Sequence, residues 1–161
     1  MSQIKYKTTL NLILLFSIFA LFMAYFIQYV LKHQPCNLCL IERIPYIISI
    51  IIISNCLLLK KFVKISLIIL SLIFFSSSLI SFYHFGIEQG FFKESLVCDL
   101  SSDGNDLSKE TLLNQLKEMP VSCKDVSFKI FGLSLATFNV FISFILGIII
   151  MKLFLTYEKN K

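Results

Sequence analysis

The chain of 161 residues is 57% hydrophobic, only 16% of its residues are charged, and its mean hydropathy is +0.81. Soluble domains average about half apolar and about a quarter charged residues, so this composition argues against a soluble globular or nucleic-acid-binding protein and for a membrane protein. The net charge is +5. The positions of the charged residues relative to the apolar runs are more informative, because they indicate the orientation of a membrane protein.

Four apolar runs approach the length of roughly 20 residues that a helix needs to cross a bilayer. They predict helices at about 10–31, 41–59, 65–85 and 131–153. The first run is too long for a signal peptide, and no small-residue cleavage site follows it. The third contains several serines, whose hydroxyls can bond within the helix or to neighbouring helices. Since backbone groups in lipid must be satisfied internally, we predict an all-α membrane protein, a single four-helix bundle.

The charges outside these runs predict an orientation. The two terminal segments and the short turn between helices two and three are rich in lysine and hold a single acid, Glu158. The loops at about 32–43 and 86–129 hold all the other acids. By the positive-inside rule, both termini are cytoplasmic and both loops face outward, toward the periplasm of a bacterial inner membrane. Within the second loop, 106–119 has leucines at helical spacing and predicts a short amphipathic helix on the membrane surface or against the bundle.

Cysteines mark the outward side of this arrangement. Cys36 and Cys39 lie in the first outward loop, and Cys98 and Cys123 lie in the second. An oxidising compartment favours disulfides, so Cys36–Cys39 and Cys98–Cys123 are the candidate pairs. The fifth, Cys56, lies near the inner end of helix two, too far away for the outer chemistry, and we interpret it as a small buried hydrophobic residue.

The two candidate disulfides differ in how much each would stabilise the folded chain. A Cys98–Cys123 bond would close a long exposed loop and could be purely structural, with a stabilisation of about 3.5 kcal/mol on the chain-entropy model. A Cys36–Cys39 bond constrains the unfolded chain little, and Cys-x-x-Cys spacing is more typical of redox or metal sites. A zinc site of two compact ligand pairs is not evident, because the second cysteine pair is widely spaced and the only histidines are His33 and His84. We therefore expect no metal.

Arg43 follows Cys39 by four residues, which places both on one face of a helix that begins near Cys36. A guanidinium there would favour the Cys39 thiolate and could bond a carbonyl oxygen of a ligand at the membrane surface. The alternative is an interfacial arginine beside Glu42 whose side chain reaches toward water. His84 presents a similar choice, between a functional group and a histidine that caps the outer end of helix three.

Several segments of the sequence resemble those of a known family. The segment 34–43, with Pro-Cys-x-Leu-Cys followed four residues later by Arg43, resembles the signature of the bacterial disulfide bond formation protein B family. The segment 83–90, which includes His84, resembles the family's outer end of helix three, and Cys98 follows at the expected distance. The segments 123–126 and 131–136 resemble its entry to helix four.

The resemblance implies a membrane thiol oxidase that is linked to a quinone, either ubiquinone or menaquinone. A soluble periplasmic DsbA-type oxidase of thioredoxin fold would give its electrons to Cys98–Cys123, and Cys123 would exchange with Cys36. Cys39 would then face the quinone, with Arg43 and His84 beside it. Membrane lipid and the quinone pool are the other implied partners.

Two alternatives remain beside this interpretation. One is an enzyme similar to the vitamin K epoxide reductase family, although there the Cys-x-x-Cys falls late in the chain, whereas here it follows helix one. The other is a non-catalytic membrane protein with structural periplasmic disulfides. Replacement of Cys39 by serine separates these, because only an enzyme would lose turnover.

Overall fold

The structure, a computed structural model, describes residues 2–59, 62–93, 122–124, 129–130 and 132–159. Within these ranges, four segments are long and apolar enough to cross a membrane: Tyr6–Tyr29, Asn37–Leu59, Val63–Glu88 and Leu135–Lys159. The fold is therefore the predicted all-α bundle of four membrane-spanning helices. The predicted amphipathic helix at 106–119 lies outside the described residues.

The elements follow one another along the chain as helices with one small hairpin before the last. In order they are α1 (Ser2–Tyr29), α2 (Asn37–Ile41), α3 (Ile44–Leu59), α4 (Val63–Glu88), β1 (Lys129–Ile130), β2 (Leu133–Ser134) and α5 (Leu135–Lys159). Helix α1 begins well before the predicted residue 10, so the lysines at positions 5 and 7 lie inside its first turns.

The second span is divided into α2 and α3. Pro45 in the first turn of α3 has no backbone N–H, and its ring crowds the carbonyl four residues earlier, which disfavours a continuous helix here. The Arg43 N–H accordingly bonds the Leu40 carbonyl at 3.2 Å instead of continuing the i to i−4 pattern to Cys39. The predicted helical register between Cys39 and Arg43 is thus interrupted by a turn.

Helix α4 continues past the predicted end at 85 to Glu88. It stops at Gly90, whose φ of 78° is a left-handed conformation that glycine adopts without strain. At Gly86 the Phe92 ring folds back over the helix, and a Cβ there would lie 2.1 Å from it, so a larger residue would displace this ring. The extension keeps His84 and Glu88 on one helical face, four residues apart.

The last helix begins at Leu135 instead of 131, because a short antiparallel hairpin precedes it. Gly132, with φ of 82°, lies in the turn between β1 and β2. Ser134 then caps α5, since its Oγ accepts a hydrogen bond from the Thr137 N–H at 3.3 Å. This start fixes which face of α5 is turned toward the other helices.

Two buried clusters divide the bundle along its length. The larger occupies the end near Tyr6, Cys56 and Val63, and it is almost entirely apolar. Cys56 is a free, buried thiol in this cluster, as predicted. The smaller cluster lies at the opposite end, named the outer end after the predicted orientation, and contains Cys36, Leu38, Ile87 and Cys123.

Helices α4 and α5 form a close contact, and serines line it. The Ser71 hydroxyl donates to the Gly147 carbonyl at 3.3 Å, and the Ser77 and Ser143 hydroxyls lie 3.2 Å apart. The Ser78 hydroxyl donates to the Val140 carbonyl at 3.1 Å. Small side chains let the two backbones approach, and the prediction that the serines bond to neighbouring helices is confirmed.

Candidate active site

Cys36 and Cys39 stand at the start of the second span. Cys36 is the N-cap of α2, and its Sγ accepts a hydrogen bond from the Cys39 N–H at 3.3 Å. The two Sγ atoms lie 2.9 Å apart, and both cysteines are free. The Cys36–Cys39 disulfide is not present here and stays a prediction for the oxidised state.

His84 reaches this pair from α4, across 48 positions of sequence. Its Nε2 lies 3.5 Å from Cys36 Sγ, and its Nδ1 lies 2.8 Å from Glu42 Oε1. The imidazole is 2% exposed. An ionised carboxylate only accepts hydrogen bonds, so the Nδ1 atom carries the proton, and in the neutral ring the Nε2 lone pair faces the thiol. Cys36, His84 and Glu42 therefore have the order nucleophile, base and orienting acid.

These contacts determine the electrostatics of Cys36. The hydrogen bond from Cys39 lowers the pKa of the Cys36 thiol to about 4, and the bond and positive charge of His84 add to this effect against the opposing effect of burial. Thiolates are the reactive form in exchange, and these contacts favour ionisation of Cys36 over ionisation of Cys39. The structure places His84 beside Cys36, and the expected stabilisation of a Cys39 thiolate by Arg43 stays a prediction.

A buried polar network continues from Glu42 into the bundle. Asn139 of α5 donates to Glu42 Oε2 at 3.0 Å and to the Ser81 hydroxyl at 2.7 Å. The Asn139 amide oxygen accepts a hydrogen bond from the Tyr46 hydroxyl at 2.5 Å. Glu42 is thereby bonded through both carboxylate oxygens, which keeps it beside His84. The network ties α3, α4 and α5 together at the level of the cysteines.

Cys123 is the third predicted catalytic cysteine that the structure describes. It is 2% exposed, it is disulfide-bonded, and it packs in the same outer cluster as Cys36. Its predicted disulfide partner, Cys98, lies outside the described residues. The structure thus brings Cys36, Cys39 and Cys123 together, and the Cys98–Cys123 pairing stays a prediction.

A cavity of about 530 Å³ opens beside the three cysteines. Its walls come from α1, the segment that carries Cys36 and Cys39, α4 and α5, and most of them are apolar. The polar groups at its outer end include Gln28, Arg43, His84 and Asn139. An apolar cavity with a few convergent polar groups is the usual form of a small-molecule site.

Comparison with known proteins agrees with this geometry. The family model described as disulfide bond formation protein DsbB matches residues 6–153. The chain belongs to the DsbB family. An uncharacterized protein of Rickettsia prowazekii (strain Madrid E) is 33% identical over 159 residues, which cover 97% of this chain and 91% of that protein. No solved structure matches the chain.

Membership of the DsbB family makes the chain a multi-pass membrane oxidoreductase of disulfide bond formation. The match covers all four spans and includes each of the cysteines at the outer end. The Cys36–Cys39 pair lies within the matched residues, and its role as the redox centre stays a prediction.

Arg43 lines the outer end of the cavity, where it could contact a ligand. Its side-chain contacts within the protein are with α1 and not with Cys39. Its Nη1 donates to Gln28 Oε1 at 2.6 Å, and its guanidinium carbon lies 5.1 Å from the centre of the Tyr25 ring. Both partners belong to α1, so Arg43 joins the first two spans. Because the helix is interrupted between Cys39 and Arg43, the guanidinium is directed toward α1.

Sequence reasoning missed the groups that hold His84. Glu42 was considered only as a neighbour of Arg43, and Asn139 was not considered at all. Glu88, another buried carboxylate, lies 3.6 Å from the His84 Nε2. A signal existed, because ionisable or strongly polar residues inside apolar spans are usually functional.

Proposed function

We propose that this protein reoxidises a soluble periplasmic DsbA-type dithiol oxidase and passes the electrons to a membrane quinone. The observation that carries the proposal is the position of the Cys36–Cys39 pair, with Cys123 beside it, at the wall of a largely apolar cavity. A thiol pair placed between a second cysteine and an apolar ligand site can receive electrons on one side and release them on the other.

The proposed electron route has two exchanges. The partner's two thiols reduce the Cys98–Cys123 disulfide, and the partner leaves oxidised. Cys123 and Cys98 then reduce the Cys36–Cys39 disulfide and regain their own bond. Each exchange transfers two electrons and two protons between sulfur pairs, so no other oxidant is needed until the last step. The close packing of Cys123 with Cys36 supports the second exchange.

The cavity residues fit a quinone ring. Phe16, Phe19 and Phe138 provide aromatic and apolar walls, and Arg43 provides a donor for a ring oxygen. A quinone bound there would supply the two-electron oxidation that re-forms the Cys36–Cys39 disulfide. His84, held by Glu42, lies where it can take the proton that leaves Cys36 as the bond forms.

The cysteines would have to face the compartment in which the soluble partner resides. The lysine-rich turn and termini support an orientation with both ends of the chain in the cytoplasm and the cysteines at the periplasmic surface of the inner membrane.

The decisive experiment follows quinone reduction by absorbance, with the purified protein and a reduced DsbA-type partner as electron donor. Turnover should be lost in Cys39→Ser and in Cys98→Ser, because each removes one pair from the route. Cys56→Ser is the matched control, since this thiol is buried at the opposite end of the bundle and should leave turnover unchanged.

Ubiquinone and menaquinone should both be supplied, because the cavity does not distinguish their ring systems. Failure to reduce either quinone, in folded protein with the four outer cysteines intact, would exclude the proposed activity. Full turnover in Cys39→Ser would exclude the proposed route.

A further inference from the structure

The fold brings three metal-ligating atoms together that lie far apart in the sequence. Cys36 Sγ, Cys39 Sγ and His84 Nε2 are all within 4.8 Å of one another. Thiolate sulfur and imidazole nitrogen are the ligand atoms that Zn²⁺ prefers in proteins. The cluster therefore has the chemistry of a zinc site, although the cysteine spacing alone did not predict one.

The distances within the cluster are close to those of a tetrahedral site. Zn–S bonds of about 2.3 Å and Zn–N bonds of about 2.05 Å place sulfur about 3.6 Å from nitrogen and two sulfurs about 3.8 Å apart. The Cys36 Sγ to His84 Nε2 distance is already 3.5 Å. The two sulfurs, at 2.9 Å, would have to separate by roughly 0.9 Å. A small rotation of the half-buried Cys39 side chain supplies that change.

His84 also makes the hydrogen bond to a carboxylate that metal-binding histidines usually make through their second ring nitrogen. Its Nδ1 is bonded to Glu42 Oε1 at 2.8 Å, and Glu42 is in turn held by Asn139 at 3.0 Å. A carboxylate on the far nitrogen fixes the tautomer that leaves the near nitrogen free to ligate, and it raises the basicity of the ring.

A second, independent observation points to a cation at this position. Glu88 lies on the same face of α4 as His84, with its Oε1 3.6 Å from the His84 Nε2 and its side chain 6% exposed. Its Oε2 is buried and has no hydrogen-bond partner among the residues that the structure describes. A buried carboxylate oxygen without such a partner is unfavourable, and a metal ion at the neighbouring cluster of Cys36, Cys39 and His84 would give it a counter-charge.

We propose that the reduced Cys36–Cys39 pair, with His84 and Glu88, is a binding site for a thiophilic divalent cation such as Zn²⁺. On binding, two protons leave to solvent, one from the Cys39 thiol and one shared between Cys36 and His84, and two S–Zn bonds and one N–Zn bond form with no electron transfer. The oxidised pair has no thiolate to offer, so the site exists only in the reduced state. Bound metal would keep both sulfurs from exchange and hold the centre reduced, a consequence that rests on the proposed function.

The test uses full-length protein with Cys56, Cys98 and Cys123 replaced by serine, so that the two site cysteines are the only thiols. The reduced protein is titrated with Co²⁺ alone under anaerobic conditions, after removal of the reductant. We expect one Co²⁺ per chain, with thiolate-to-cobalt charge-transfer bands and the visible absorption of tetrahedral Co²⁺, and displacement of this signal by Zn²⁺.

Four variants and a control locate the site. Cys36→Ser and Cys39→Ser should abolish the spectrum, and His84→Ala and Glu88→Gln should weaken binding by about tenfold to hundredfold. His33→Ala is the matched control, because His33 lines the same cavity but does not belong to the cluster, and binding should not change.

The proposal is overturned if reduced protein with native helix content and two titratable thiols shows no tetrahedral Co²⁺ spectrum. It is equally overturned if the oxidised protein or His84→Ala binds Co²⁺ as tightly as the reduced parent. Metal binding without quinone reduction would contradict the proposed function but not the metal site. Quinone reduction without metal binding would contradict the metal site but not the proposed function. In an active enzyme, Zn²⁺ should stop turnover and a chelator should restore it.

Discussion

The two ends of the bundle are built from the same helices but differ in the side chains that they bury. The end near Phe74 is packed with apolar side chains such as Leu70 and Ile53, which are 0% exposed. The end near His84 buries two carboxylates, an imidazole, an amide and two thiols in contact with a cavity. A buried polar group without a hydrogen-bond partner lowers the stability of the fold. The apolar packing at one end stabilises the bundle and so offsets this cost at the polar end.

This contrast predicts that substitutions at the two ends affect different measurements. Changes in the apolar end should lower the free energy of unfolding and leave the turnover of each folded molecule intact. Changes in the polar end should lower turnover or ligand affinity with small effects on stability.

The largest effect is expected from Phe74→Ala. Phe74 is 0% exposed, its ring packs edge-on to Tyr46 with centroids 5.9 Å apart, and truncation leaves a cavity. The free energy of unfolding in detergent should fall by about 3–5 kcal/mol. Phe82→Ala on the same helix is the control, because that ring is 55% exposed and its loss should matter little. Equal destabilisation by both variants would contradict the assignment of the core.

Glu42→Gln should have the next largest effect, on turnover. Glutamine keeps the shape and the bond to Asn139, but its amide can donate to His84 and so favour the wrong ring tautomer. Quinone-linked turnover should fall about tenfold to hundredfold, and the unfolding free energy should change little. Glu158→Gln removes an exposed carboxylate that pairs with Lys64 at the opposite end, and turnover should be unaffected. If Glu42→Gln were fully active, the orienting role of Glu42 would be wrong.

Arg43→Lys should act on ligand affinity. Lysine retains the charge but loses the fork that bonds Gln28 and the planar face over Tyr25. The apparent KM for quinone should rise about tenfold, equivalent to about 1.4 kcal/mol, with kcat nearly unchanged. Lys64→Arg, at the other end of the bundle, should leave both constants unchanged. An unaltered KM in Arg43→Lys would remove Arg43 from the ligand site.

The smallest effect is expected from Ser77→Ala, which deletes one hydroxyl contact with Ser143 between α4 and α5. Hydrogen bonds between membrane helices contribute about 0.6 kcal/mol on average, so unfolding should shift by about that amount. The adjacent Ser76→Ala is the control, since Ser76 is exposed and its loss should be neutral. A shift of several kcal/mol would mean that the serines, not apolar contacts, hold these helices together.

The four spans and the separate position of Cys56 could be predicted from sequence, because membrane thickness imposes a length on apolar runs that is visible locally. The approach of His84 to Cys36 could not be predicted, because it depends on how α4 packs against the second span. The turn at Arg43 was missed although Pro45 gave a local signal for it, and this turn is the reason that the guanidinium contacts α1 instead of Cys39. The family resemblance indicated His84 as functional, but only the tertiary structure shows that Glu42 orients it.

The position of the cavity has a consequence for kinetics. Its wall includes Phe16 and Phe19, in the middle of α1, and Ile142, within α5, so the cavity extends from the outer surface into the thickness of the membrane. A ligand held there is drawn from the lipid or micelle phase and not from water. The saturation of the site should therefore follow the mole fraction of quinone in that phase. Doubling the detergent at constant total quinone should halve the occupancy of an unsaturated site, as surface dilution requires.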